Sequence, residues 1–193
     1  ARAGVGAVST QNITDPNLGT LILDHMETGK DAKTAIDLVV KGRENINFRQ
    51  LTAIDKDGNT SHFTGSNILG TNAVSEKSNC IAAGNLLSNL GVADAMADGF
   101  NSDKNSHLAE RLLVGLESGL KAGGEAGPVH SAALIVVDQT KFPLVDLRVD
   151  WEEEDAIPKL RLLWSAYEPQ MLDYLNRALN PAVAPSYGVA GDL

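Results

Sequence analysis

Residues 123–150 read GGEAGPVHSAALIVVDQTKFPLVDLRVD. A glycine-rich loop containing Pro128 leads into residues 131–138, an apolar run too short for a helix. Residues 139–143 turn the chain back, and residues 144–150 return with strict alternation. Val145, Leu147 and Val149 share one face of the second strand, while Leu144, Asp146, Arg148 and Asp150 share the other. The stretch predicts a buried β-hairpin with an acid and a base two residues apart on one face.

Upstream, the apolar period switches between two and about 3.6. Residues 4–11, GVGAVSTQ, are small and β-leaning, with glycines that permit close backbone approach. NITDPNLG then stops the strand and starts a helix: Thr14 or Asp15 can cap it, and Pro16 suits its first turn. Leu18, Leu21, Ile22, His25 and Met26 follow at helical spacing until Gly29. A second helix starts near Asp31 and stops at Gly42, with Ala32, Ala35, Ile36, Val39 and Val40 inward. Residues 48–55, the turn Lys56-Asp57-Gly58-Asn59 and residues 60–64 make a hairpin.

Residues 65–75 read as a polar loop and residues 78–84 as a third short strand. Helices are predicted at 89–100 and, with Ser106 as cap, at 107–122, the latter with Leu108, Leu112, Leu116 and Leu120 inward. After the 123–150 hairpin, Asp155 and Pro158 open a helix through Ile157, Leu160, Leu163 and Trp164. Residues 169–179 form another helix, and 180–193 an irregular tail. Helices paired between antiparallel strands predict an α+β protein of layered sheets and helices rather than a doubly wound parallel sheet. Residues 1–179 are expected to form one domain.

The 193 residues, 43% hydrophobic, can bury one sizeable core. A net charge of −9 without a basic cluster predicts neither a nucleic-acid nor a membrane partner. Cys80 stands alone, which excludes an intrachain disulfide, and its surroundings SNCIAAG predict a small buried strand residue. No apolar run is long enough to span a membrane and no signal peptide is evident, so the expected location is the cytoplasm. His25, His62, His107 and His130 lack ligand spacing, and neither a metal nor another cofactor is expected.

Several polar groups could carry chemistry. Ser9-Thr10-Gln11-Asn12 puts two hydroxyls and two amides at a strand–helix junction, either as caps or as donors at the mouth of a cleft. Gly84-Asn85 ends a strand: the glycine lets another group come near, and the Asn85 amide can donate to a developing oxyanion or simply make a turn. His62 lies in a strand, and His130 is aimed by the glycine loop. Because neighbours on a strand face opposite ways, His130 and Ser131 do not make a nucleophile–base pair. Asp146 and Arg148 share a strand face, so a lateral salt bridge is natural. Arg148 could alternatively bind a carboxylate or fix a catalytic amine. The GGxxG at Gly123–Gly127 follows a helix and enters a strand, the reverse of a dinucleotide-binding context.

The blocks ARAGVGAVSTQNITDP, FTG at 63–65, AAGNLL at 82–87, LAERLL at 108–113, GGEAGPVHSAALIVV and LVDLRVD, in that order over about residues 1–165, resemble domain-of-unknown-function family 1028 (DUF1028). The resemblance implies a four-layer αββα sandwich of the N-terminal-nucleophile (Ntn) hydrolase type. Members usually carry a further hairpin upstream of ARAGVGAV, whose first residue in Ntn hydrolases supplies nucleophile and base. Ala1 has no nucleophilic side chain, so the expectation is that this hairpin has been cut off or belongs to a separate chain, pairing with residues 4–11. At the glycine loop Glu125, Pro128 and His130 depart from the Asp, Arg and Gln of many relatives, as a different substrate subgroup would.

The expected activity is hydrolysis of an amide or amidine C–N bond in a small molecule by a homo-oligomer. Asn85 would be the oxyanion donor, Arg148 with Asp146 the orienter of substrate or amine, and Thr10, Asn12, His62 and His130 the pocket groups. A small-molecule-binding or assembly domain without catalysis is the alternative on the same fold.

Overall fold

The computed structural model describes residues 1–191 and is a mixed helix-and-sheet protein. Its first half is built on a three-stranded antiparallel sheet, β1 (Gly6–Asn12), β2 (Arg49–Asp55) and β3 (Thr60–Thr64), in the order β1-β2-β3. Between β1 and β2 run α1 (Pro16–Glu27) and α2 (Ala32–Val40). Asp15 caps α1 by accepting from the Asn17 amide, and Asp31 caps α2 through the Thr34 amide. Leu18, Ile22 and Met26 of α1, with Ala35, Ile36 and Val39 of α2, pack on the face of the sheet that carries Val8, Leu51, Ala53 and Phe63. Leu21, predicted inward, is 37% exposed because the three buried side chains already fill the width of the stripe.

The other face of this sheet is polar. The register sets Ser9 opposite Thr52 and Thr52 opposite His62, and likewise aligns Gln11, Gln50 and Thr64. Gln50 and Thr52 are buried, and the Gln11 side chain donates to Gln50 at 2.6 Å. Against this face lies a two-stranded sheet, β4 (Ala73–Lys77) and β5 (Cys80–Gly84). Glu76 of β4 accepts from Thr60 at 2.5 Å and bonds His62 Nδ1 at 2.8 Å, tying the two sheets together.

β4 corrects the expectation of a polar loop over residues 65–75. Two of its polar residues reach the helix behind it: Ser75 donates to Asp94 and Lys77 pairs with Asp98.

That helix, α3 (Val92–Asn101), packs side by side with α4 (Leu108–Lys121). Residues 89–91, predicted helical, form a tie instead: Asn89 donates to Ala122 O and accepts from the Gly91 amide. The α3–α4 contact runs through glycines, and a Cβ on Gly99 would meet Ser118 Oγ at 2.2 Å and Val114 O at 2.9 Å. The cap of α4 is His107 rather than Ser106. The leucine stripe expected to be inward is not the most buried side of α4. Leu108 is exposed, whereas Ala109, Leu113, Gly115 and Gly119 are buried.

The 123–150 hairpin comprises β6 (Ala132–Val136) and β7 (Val145–Val149), with Leu134 opposite Leu147. One face packs on α4 and on α5 (Ala156–Tyr167), capped by Asp155, through Leu134, Val136, Val145, Leu113, Leu160 and Trp164. Trp164 has no exposed surface; its indole donates to Glu110, and its ring stacks on His107 with centroids 5.5 Å apart. Losing that side chain would cost about 3–5 kcal/mol. Only half of the predicted burial holds, since the opposite face, with Ile135, Asp146 and Arg148, is exposed. A 3-10 turn (Glu168–Gln170) and α6 (Met171–Leu179) replace the single helix predicted over 169–179. Arg177 clasps the following tail by donating to Pro185 O and Ser186 O.

Candidate functional site

β1, β5 and β6 each have a strand neighbour on one side only. Gly6 spends both its amide and its carbonyl on Arg2, so alternation sends those of Val8 and Thr10 to the same outer edge of β1. These three edges border a cavity of about 590 Å³. Its floor is Met96 and Phe100 of α3 with Leu112 and Leu116 of α4. Leu112 and Leu116 of α4 thus line this gap between the strands as well as packing against the second apolar cluster.

A smaller cavity of about 250 Å³ adjoins it at the end of β5. Asn85, half-buried, lines it beside Gln11, Ser131 and Glu125. A Cβ at Gly84 would meet Leu87 Cδ2 at 2.6 Å, so any larger residue there would push the Leu87 side chain aside. The close approach expected at this glycine is thus made by the chain itself. Leu87 bridges to Glu125, with the Ser88 amide donating to Gly124 O and the Ala126 amide to Leu86 O, so the glycine loop is zipped against the segment that carries Asn85. Burial raises the Glu125 pKa even though the residue as a whole is exposed at the cavity mouth. Ser131 lines the cavity while His130 does not.

The other expected site residues are placed differently. Asn12 has a left-handed φ of 72°, donates to Phe48 O at 2.6 Å and accepts from the Leu69 amide at 3.1 Å, so both ends of its amide hold the loop junction. Thr10 presents its edge to the larger cavity, but its methyl group lies against Gly19 of α1. His62 lines neither cavity, its imidazole being held by Glu76 between the sheets. His130 is stacked on Trp151, with centroids 4.3 Å apart, and its Nδ1 bonds Glu152 O. Arg148 pairs with Asp150 at 2.5 Å, not with Asp146, and both partners are exposed. The predicted lateral pair is replaced because Asp150 ends the strand and its side chain is free to fold back. Cys80, predicted buried, is half-buried on the wall of the larger cavity, and burial raises its thiol pKa.

Among the described residues no three His, Cys, Asp or Glu side chains come together as a metal site, and no helix is long and apolar enough to cross a membrane.

The fold and its cavities define a class: an α+β protein of short antiparallel sheets that meet around a gap. Within that class the chain belongs to DUF1028, a family of unknown function whose model matches residues 1–160. No curated protein matches it. Among solved structures it is similar to protein SPO2555 from Silicibacter pomeroyi, of the same family, with a TM-score of 0.80 and 27% sequence identity. That similarity covers 89% of this chain and 74% of SPO2555.

Proposed function

We propose that this chain forms the substrate-binding wall of an Ntn-type hydrolase that cleaves an amide or amidine C–N bond in a small molecule. The reading takes the fold as a four-layer αββα sandwich. It is supported by the order of packing: α1 and α2 on the β1–β3 sheet, that sheet on β4–β5, and the helices α3 and α4 behind. The nucleophile in this reading comes from a strand that pairs with residues 4–11. The open edges of β1, β5 and β6 around one apolar floor support such a strand.

The observation that carries the proposal is Asn85. Its amide lies on the smaller cavity and makes no hydrogen bond within residues 1–191. A donor held ready at a strand end stabilises charge that appears only in the transition state, so its loss lowers turnover more than binding. In protein that contains the partner strand, Asn85→Ala is expected to lower kcat on the order of a hundred-fold with the melting temperature unchanged. Asn85→Asp nearly keeps the shape and puts a negative charge where the oxyanion forms, so it should be at least as damaging. Unchanged turnover in both variants would remove Asn85 from the mechanism. Failure of the complete protein to cleave any amide or amidine would leave a binding or assembly domain as the better account.

A further inference from the structure

The polar side chains of the smaller cavity are Gln11, Asn85, Glu125 and Ser131, and the charge among them is negative. Gln50 is fully buried, and its Nε2 is turned toward Thr64 Oγ1 at 3.5 Å, which leaves its Oε1 to face Gln11. Gln11 meets it with Nε2, at 2.6 Å. The Gln11 amide is thereby oriented, and its Oε1 remains the polar atom free to meet a ligand. Asn85 contributes a second amide without an internal partner, and Glu125 a carboxyl. Glu125 is the one ionisable side chain lining this cavity among the described residues; no Lys, Arg or His reaches it.

We propose that this cavity takes a small organic cation, an amidinium, guanidinium or primary ammonium group, with Glu125 as counter-ion and Gln11 Oε1 as second acceptor. The proposal rests on the reading of this cavity as the substrate site and narrows its substrate class from amides and amidines to the positively charged ones. An anion would find only the neutral donors of Asn85 and Ser131, with the Glu125 carboxylate beside them and no positive charge to offset it. A planar cation offers several N–H donors and matches both acceptors, and a charge-assisted bond to a partly desolvated carboxylate is the stronger kind. The zipped glycine loop holds Glu125 beside Asn85 before any ligand arrives. Because burial favours the protonated Glu125, affinity for the cation should rise with pH through the Glu125 pKa and level off above it.

Acetate, acetamide and acetamidinium have nearly the same shape and carry charges of −1, 0 and +1, so they test the idea directly. They would be titrated at matched ionic strength and followed by the side-chain amide NMR signals of Asn85 and Gln11. Acetamidinium is expected to bind at least about tenfold more tightly than acetamide, with acetate weakest; Glu125→Gln should abolish that preference. Equal binding of acetamide and acetamidinium, a preference that survives Glu125→Gln, or shifts confined to the acidic segment 151–155 would overturn the proposal. The readout is binding, so it is separable from catalysis. Selective acetamidinium binding without turnover supports the cation site and counts against the hydrolase, whereas cleavage of neutral amides without the charge preference does the reverse.

Discussion

Glu110 is the carboxylate on which the second half of the fold converges. It accepts from Arg161 at 2.5 Å and from the buried Trp164 indole at 2.8 Å, while Arg161 also holds Glu117 through two bonds. The hydrogen bond from Arg161, against some cost of burial, keeps the Glu110 pKa below that of an ordinary glutamate. A carboxylate with a depressed folded-state pKa contributes stability that is complete above the unfolded-state value, about 4.3, and lost as pH falls through the folded one. Glu110→Gln is therefore expected to cost about 1–3 kcal/mol at pH 7. The gap between wild type and variant, read from urea midpoints, should stay constant down to about pH 5 and narrow below it. A gap that does not change between pH 7 and pH 3 would show that the pair adds nothing through ionisation.

At the scale of elements, the close α3–α4 contact makes an unusual demand. Alanine at Gly99 would gain about 1 kcal/mol of helix propensity, yet its Cβ would press on Val114 O, which is backbone and cannot rotate away. Gly99→Ala is expected to lower stability by about 1–3 kcal/mol, measured by thermal or urea unfolding. A more stable variant would mean that the helices can part at no cost. The edge of β1 gives another test. Val8 and Thr10 amides should exchange with deuterium far faster than those of Ala7, Ser9 and Gln11, and become protected when a partner strand is present. Equal protection along β1 in residues 1–193 alone would contradict the open edge.

Elements were legible wherever a stop signal met a clean period. Asp15 with Pro16, Asp31, the turn at Asp57-Gly58 and Asp155 all mark boundaries that the structure keeps to within a few residues. The strand β4 was not legible, because its inward residues Ser75 and Lys77 find their partners on a helix distant in sequence. At the site, parity was the missed signal. Val8 belongs to the apolar face, which sends Thr10 and Asn12 the same way and leaves Ser9 and Gln11 on the polar one. Glu125 and Ser131 sit in a loop, where no period reports direction, and only the bridge to Leu87 shows that they meet Asn85.

At the scale of the molecule, two apolar clusters hold the structure, one beneath α1 and α2 and one between the β6–β7 hairpin and α5. The gap bordered by β1, β5 and β6 lies where the two meet, lined by Val8 from the first and by Leu112, Leu116 and Leu134 from the second. Open strand edges over an apolar floor are also a route to unwanted pairing, since another copy can dock the same backbone groups with no need for a specific surface. What opposes it is long-range repulsion, because each copy carries a net charge of −9. Colloidal behaviour should then follow ionic strength: with a Debye length of roughly 30 Å at 0.01 M the copies stay apart, and at roughly 3 Å near 1 M they do not. Light scattering of residues 1–193 should report growing particles as salt is raised, and a peptide strand that fills the gap should suppress that growth at every concentration of salt. A particle size indifferent to both would mean that the edges are shielded by means other than charge.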